Sequence, residues 1–287
     1  MLGIEQLRKV FSFKFNAMPM SDQVYESLGK FVNWLHSAYF RTTHMGEISL
    51  AMEQAKRDHL IVISNHALTI EALLIAWTLY VEDAGKIGTL VYPDAFKIPV
   101  IREFLRACQC RPVSVNCGSQ CLKDRHILLF PEGMEFLTGL QGPDEMAPFH
   151  SGFLRIARNY LKETGRKTIR VLPVAHVGIE RSLKFWVIRN KAFLDTFIRP
   201  WSNYPFWIIP KLPVFLPTRV VMNWGKPIRL HRNQLNTPEK LLKQCERFHE
   251  MIREMRKEAL EVMKTHNGVQ ALPFYPAAAK HDHKPTE

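Results

Sequence analysis

A histidine followed five residues later by a glutamate, at the end of an apolar run, is the first place where this chain could do chemistry. The stretch reads Leu60-Ile61-Val62-Ile63-Ser64-Asn65-His66-Ala67-Leu68-Thr69-Ile70-Glu71. A neutral imidazole can take a proton from a hydroxyl as that hydroxyl attacks a carbonyl. It works best when a carboxylate holds the other ring nitrogen as N–H and steadies the imidazolium that forms. Within one regular helix this spacing puts the two side chains on different faces. With His66 in a loop and Glu71 in the first helical turn, the chain can fold back and join them, and the helix N-terminus favours a negative Glu71. Taken alone, the same residues also read as a surface histidine followed by an ordinary acidic first turn.

The elements around this pair must place it. The run from Leu60 reads as a buried strand, and a helical pattern from about Thr69 carries Ala72, Leu73, Leu74, Ala76, Trp77, Leu79 and Tyr80. Gly85 suits the end of that helix. A second apolar strand, His126 to Phe130, ends in Pro131-Glu132-Gly133, and a third runs from Ile169 to Ala175. Further strands are expected at Gly88 to Tyr92, Arg111 to Val115, Lys184 to Ile188 and Arg219 to Trp224, and a short helix at Pro99 to Cys108. A helix opening at Phe149-His150-Ser151-Gly152 buries Phe153, Leu154, Ile156, Ala157, Tyr160 and Leu161, with Gly152 allowing close approach to the catalytic loop. Thr237-Pro238-Glu239 starts a long last helix whose stripe includes Leu241, Leu242, Cys245, Phe248, Ile252, Met255, Ala259, Leu260 and Met263. Alternating strands and helices predict an α/β fold with a largely parallel sheet covered on both faces. In such folds ligands bind outside the carboxyl ends of the strands, where His66 falls.

The 287 residues are 46% hydrophobic and 23% charged, a globular composition with ample material for a core. The net charge of +12 points to anionic partners: a phospholipid surface, nucleic acid or acyl-CoA phosphates. The basic residues are scattered and no nucleic-acid-binding motif is recognisable, so nucleic acid is not expected as a partner. No run of 18 apolar residues occurs, and residues 1–15 lack a clean signal-peptide core. Residues 22–40 form an amphipathic stripe of Tyr25, Leu28, Phe31, Val32, Leu35 and Tyr39, read either as a helix packed on the domain or as one lying on a membrane. Residues 201–217 mix four prolines with Trp201, Tyr204, Phe206, Trp207 and Phe215, which suits a bilayer interface or a loop closing an acyl pocket. Cys108, Cys110, Cys117 and Cys121 fit no common zinc template, so reduced thiols and no metal are expected. The division expected is an N-terminal amphipathic segment at 1–45, a catalytic domain at 46–267 and a loose tail at 268–287.

Asn65-His66 with an acid at Glu71, then Phe130-Pro131-Glu132-Gly133, then Leu172-Pro173-Val174-Ala175 resembles, in order and spacing, the glycerolipid acyltransferase family over about residues 60 to 178. That family includes 1-acylglycerol-3-phosphate acyltransferases and their lysophospholipid relatives. The resemblance implies a mixed α/β sheet flanked by helices, with the histidine box in a cleft. It implies an acyl group moving from acyl-CoA or acyl-carrier protein, as substrate rather than cofactor, to a glycerolipid hydroxyl. It makes His66 the general base and Glu71 its orienting acid. It places Asn65, Phe130, Pro131, Glu132 and Gly133 among the substrate-binding residues. Membrane lipids and acyl-CoA are the implied partners, and the implied location is peripheral or monotopic on the cytoplasmic face of a membrane. A lipid-binding descendant without activity is the alternative.

The sequence departs from the family pattern at several places. Glu71 stands where the family has Asp, which adds a methylene between backbone and carboxylate. Met134-Glu135 stands where the family continues Thr/Ser-Arg with a phosphate-holding arginine. A further family arginine is missing near Asn116, and Arg111, with Lys123 or Arg125, is the nearest replacement.

Overall fold

The computed structural model describes residues 32–265, apart from 68–69, 83, 86, 98–101, 104, 107, 134–145, 183–184, 189–206 and 211–215, with backbone alone at 185–188 and 207–210. In chain order the regular elements are β1 (Thr42–Gly46), α1 (Ile48–Arg57), β2 (Leu60–Ser64), α2 (Ile70–Val81), β3 (Ile87–Val91), β4 (Arg111–Pro112), α3 (Val115–Cys121), β5 (His126–Leu129) and α4 (Gly152–Thr164). Then come β6 (Thr168–Val177), β7 (Phe185–Ile188), β8 (Trp207–Pro210), β9 (Val220–Trp224), β10 (Ile228–His231) and α5 (Pro238–Thr265).

Strand β2 is central because every one of its residues is buried. Its side chains alternate between two layers, as the two-residue period of a strand requires. Leu60 and Val62 share a core layer with Leu74, Ile75 and Leu79 of α2, while Ile61 and Ile63 share the other with Phe153 and Leu154 of α4 and Phe248 and Ile252 of α5. The sheet runs β1-β9-β6-β2-β5-β3-β4, with β10 also paired to β6. The pairs β2–β6, β2–β5, β5–β3, β3–β4 and β1–β9 are parallel, and β6–β9 and β6–β10 are antiparallel. This is the mixed, largely parallel α/β sheet expected, with the long C-terminal helix packed against β6 and β9. Among the described residues no helix is long and apolar enough to cross a membrane.

Several local expectations change. The strand expected from Arg111 to Val115 is only Arg111–Pro112, with one further bond from the Val113 N–H to the Val91 carbonyl at 2.7 Å. Ser114 then caps α3, its side chain accepting from the Cys117 N–H, so Val115 is helical. Gly152 has nothing within 4 Å of an added Cβ; the close approach is at Gly118, where a Cβ would stand 2.6 Å from Ile156 Cδ1 and so lets α3 lie on α4. Leu242 is 60% exposed because Leu241, one position back, takes the buried face. Strands β1 and β10 and helix α1 were not expected from the residue pattern. Of the 22–40 stripe, residues 22–31 lie outside the described residues, whereas Val32, Leu35 and Phe40 are buried in the same layer as α2. The tail from 268 and most of 201–217 also lie outside them.

The chain entering β1 is held by a buried histidine pair. His36 Nε2 lies 3.1 Å from the Leu74 carbonyl, and its ring stacks on His44 at 5.4 Å. Trp224 Nε1–H donates to His44 Nδ1 at 3.0 Å. Burial lowers His36 to about 4 against the opposing pull of the Leu74 carbonyl, and burial together with the neighbouring His36 lowers His44 to about 3. Below the unfolded value of about 6.5, the unfolded chain takes up protons that the folded one refuses. Stability is therefore full above that value and falls with pH, by about 1.4 kcal/mol per pH unit for each histidine. In His36→Gln/His44→Gln the fall between pH 6.5 and 5 shrinks relative to wild type, as urea denaturation at several pH values measures. An unchanged slope would show that the pair is not the source.

Candidate active site

The strand–turn–helix unit at 60–71 delivers its two key side chains to one point. β2 ends at Ser64, and α2 begins at Ile70 with Glu71 in its first turn. His66 Nδ1 lies 2.5 Å from Glu71 Oε1, and the same oxygen accepts the Ala67 N–H at 3.0 Å. The added methylene of glutamate is thus absorbed: the side chain reaches back from the first turn to the loop. Glu71 is fully buried, whereas the His66 side chain is 15% exposed, so solvent and substrate meet the imidazole and not the acid. Burial alone would raise the Glu71 pKa. The His66 charge and hydrogen bond, the nearby His176 and the Ala67 N–H together hold its carboxyl well below the usual range. With Nδ1–H donated to this carboxylate, the basic lone pair of the ring is on Nε2.

Other neighbours fix the rest of the histidine. The Phe130 ring stacks on the imidazole, with centroids 4.5 Å apart and planes 16° apart. β5 is parallel to β2 and places Leu129 opposite Ile63, so Phe130 follows at the level where β2 gives way to the catalytic loop. The His66 backbone N–H donates to Glu132 Oε1 at 2.8 Å.

The residues expected to bind substrate make the following contacts within the protein. Asn65 has its amide locked to the end of β6: Oδ1 accepts the His176 N–H at 2.8 Å and Nδ2 donates to the His176 carbonyl at 3.0 Å. His176 Nε2 returns to the Asn65 carbonyl at 2.8 Å. Both ends of the Asn65 side chain are therefore used within the protein. Glu132 is 2% exposed, and its second oxygen accepts the Ala147 N–H at 3.0 Å. Burial raises its pKa, and the two backbone donors and the charges of His66 and Arg256 pull it partly back. Pro131 and Gly133 shape a turn in which Gly133 N–H donates to the Phe130 carbonyl at 3.0 Å and His150 N–H to the Pro131 carbonyl at 2.8 Å. Gly133 has φ +58, a conformation that favours glycine.

Arg111 is exposed on β4 at the edge of the sheet, level with Leu90, with two strands between it and β2. Three inter-strand steps amount to about 14 Å, so the structure does not bring the Arg111 backbone to His66. Lys123 and Arg125 precede β5 and lie at the end of that strand opposite to Phe130. Lys123 pairs with Glu163 at 2.9 Å, and Arg125 donates to Gln109 at 2.7 Å and Asp124 at 2.7 Å. Arg111 and Arg125 both lie close enough to Cys121 to act on its thiol, while Lys123 is engaged by Glu163. Met134 and Glu135 lie outside the described residues. The cysteines are unbridged, and burial raises the Cys108, Cys110, Cys121 and Cys245 thiols to between about 11 and about 12. Among the described residues no group of three or more His, Cys, Asp or Glu side chains could hold a metal ion.

Two residues near the site carry no signal in the local sequence. His176 is fully buried beside Glu71, and Arg256 of α5 is close enough to act electrostatically on both Glu132 and His176. His176 falls one residue past the strand read at Ile169 to Ala175, and Arg256 is one charge on an amphipathic helix.

A base–acid pair at the carboxyl end of a parallel strand, with a stacked aromatic and a buried glutamate beside it, is the equipment of a hydroxyl-activating transferase or hydrolase. The family model described as Acyltransferase matches residues 48–177, the segment that carries β2, α2, β5 and nearly all of these side chains. Among solved structures, the chain is similar to the crystal structure of the 1-acyl-sn-glycerophosphate (LPA) acyltransferase PlsC from Thermotoga maritima, with 18% identity and a TM-score of 0.47 over 88% of this chain and 87% of that one. No curated protein matches the chain.

Proposed function

We propose that this protein moves a fatty acyl group from acyl-CoA or acyl-carrier protein to a hydroxyl of a glycerolipid or lysophospholipid at a membrane surface. The observation that carries this reading is the His66–Glu71 hydrogen bond within the segment that matches the Acyltransferase model. In the proposed reaction His66 Nε2 takes the proton of the acceptor hydroxyl. The oxygen attacks the thioester carbonyl, the C–O bond forms, the C–S bond breaks, and the imidazolium returns the proton to the leaving thiolate. Glu71 carries no proton away; its buried negative charge steadies the imidazolium. The oxyanion donors are not the amides of His66 and Ala67, which are engaged by Glu132 and Glu71.

The hydrogen bond from His66 to Glu71 supports catalysis over a merely lipid-binding role, since a binding module has no need of an aligned base. The net charge of +12 suits an anionic lipid surface, and the cytoplasmic face of a membrane is the proposed place of action. Glu135 stands where the resemblance puts a phosphate-holding arginine, and a carboxylate there repels a phosphomonoester. The acceptor proposed is therefore a neutral glyceride or a lysolipid with a larger head group.

The test is transfer of labelled acyl groups in the presence of liposomes to glycerol 3-phosphate, lysophosphatidic acid, other lysophospholipids, monoacylglycerol and diacylglycerol. Product from monoacylglycerol or a large-headed lysolipid is expected. Exclusive use of lysophosphatidic acid would overturn the acceptor proposal, and liposome binding without any product would overturn the enzyme.

A further inference from the structure

Glu132 is tied to two distant pieces of backbone. Its Oε1 accepts the N–H of His66, in the loop after β2, at 2.8 Å, and its Oε2 accepts the N–H of Ala147, on the approach to α4, at 3.0 Å. The side chain is 2% exposed, so little of it is open to a ligand. A second bond runs alongside, from the His150 N–H to the Pro131 carbonyl at 2.8 Å. The turn after β5 is therefore bonded on one side to the catalytic loop and on the other to the segment entering α4.

His66 is accordingly held at three independent points. Glu71 fixes ring atom Nδ1, Phe130 fixes the ring plane, and Glu132 fixes the backbone from which the ring hangs. Glu71 also takes the Ala67 N–H, and Asn65 is bonded to the His176 backbone, so the loop is braced on either side of His66, while Glu132 takes the N–H of His66 itself. Without the bond from Glu132, the His66 peptide can turn between those braces, which loosens the ring's alignment with Glu71 and moves Nε2 relative to an acceptor hydroxyl. A misplacement of about 1 Å costs a reaction of this kind about 100-fold.

We propose that Glu132 is a positioning residue for His66, which sets the backbone of the catalytic loop through one oxygen while anchored to Ala147 through the other, and that it does not bind the acyl acceptor. The two N–H donors approach different oxygens of the Glu132 carboxylate. A glutamine offers one, and its NH₂ turns a donor toward a donor. An aspartate keeps both oxygens but is one methylene too short to span the same two amides.

This inference rests on the acyl-transfer reading for its kinetics, but not for its structural readout. In Glu132→Gln, kcat is expected to fall about 100-fold with the acceptor KM within about threefold of wild type. A raised acceptor KM with kcat preserved would identify Glu132 as an acceptor ligand and overturn the proposal. Independently of turnover, amide hydrogen exchange at His66 and Ala147 quickens in Glu132→Gln, and the ¹⁵N signals of the His66 ring move away from the single Nδ1–H tautomer. Unchanged exchange at both amides and an unchanged ring tautomer would overturn it even if the wild type acylated no acceptor in the panel. Should the glutamine variant not fold, Glu132→Asp carries the same two readouts, and wild-type values in it would likewise overturn the proposal.

Discussion

Replacing His66 by alanine lowers acyl transfer by about 10²–10⁴-fold, with the overall fold retained. The imidazole combines a basic nitrogen with access from solvent, its carboxylate partner being fully buried. Removing it takes away the proton acceptor at the moment of attack and leaves the substrate surfaces in place, so the loss belongs to kcat. A structural cost accompanies it. Glu71 keeps the Ala67 N–H but loses the His66 charge and hydrogen bond that offset its burial. In wild type the depressed Glu71 contributes stability that is complete above the unfolded carboxylate value of about 4.3. That contribution is lost as pH falls through the lower folded value. In His66→Ala it is smaller, so the variant is less stable near neutral pH and its stability falls less on acidification to pH 3. Initial rates and pH-dependent denaturation check the two halves. Activity within tenfold of wild type would remove His66 from the mechanism.

Glu71→Gln is expected to lose about 10²–10⁴-fold in kcat with the acceptor KM little changed. The change is close to isosteric, and an amide oxygen in the place of Oε1 can still accept from His66 Nδ1 and Ala67. What disappears is the negative charge behind the imidazolium, and with it the strict choice of ring tautomer. Because Glu71 is fully buried, it touches no substrate, and a large rise in KM would contradict its assigned place behind the base. Glu71→Asp separates charge from reach. It restores the charge but shortens the arm that extends from the first turn of α2 to the loop, and activity between wild type and Glu71→Gln is expected. Steady-state kinetics of the three proteins side by side decide this.

The base–acid pair was legible in the sequence because both members sit on one strand–turn–helix junction, where spacing and element type constrain geometry. The long apolar strands and the stripes of α4 and α5 were legible for the same reason: their burial follows a local period. Strand β1 was not, since its five residues Thr42–Gly46 have no strong apolar alternation and are ordered by parallel pairing with β9. The five-residue strand read at Arg111 was apolar and β-branched enough to propose, but the Ser114 cap decided for helix α3.

By itself the sequence determined the α/β class, the position of His66 at the end of the central buried strand and the carboxylate in the next helical turn. These depend on contacts within a dozen residues, where composition and period act directly. Only the tertiary structure decided what the remaining polar residues do. Asn65 bonds a residue 111 positions away, and Glu132 bonds one 66 positions away, and both spend their side chains on backbone. No local pattern distinguishes a carboxylate that faces a ligand from one that braces a loop. That choice is made by which buried N–H groups the fold leaves in need of an acceptor, and the parallel pairing of β2 with β5 and β6 places those groups within reach.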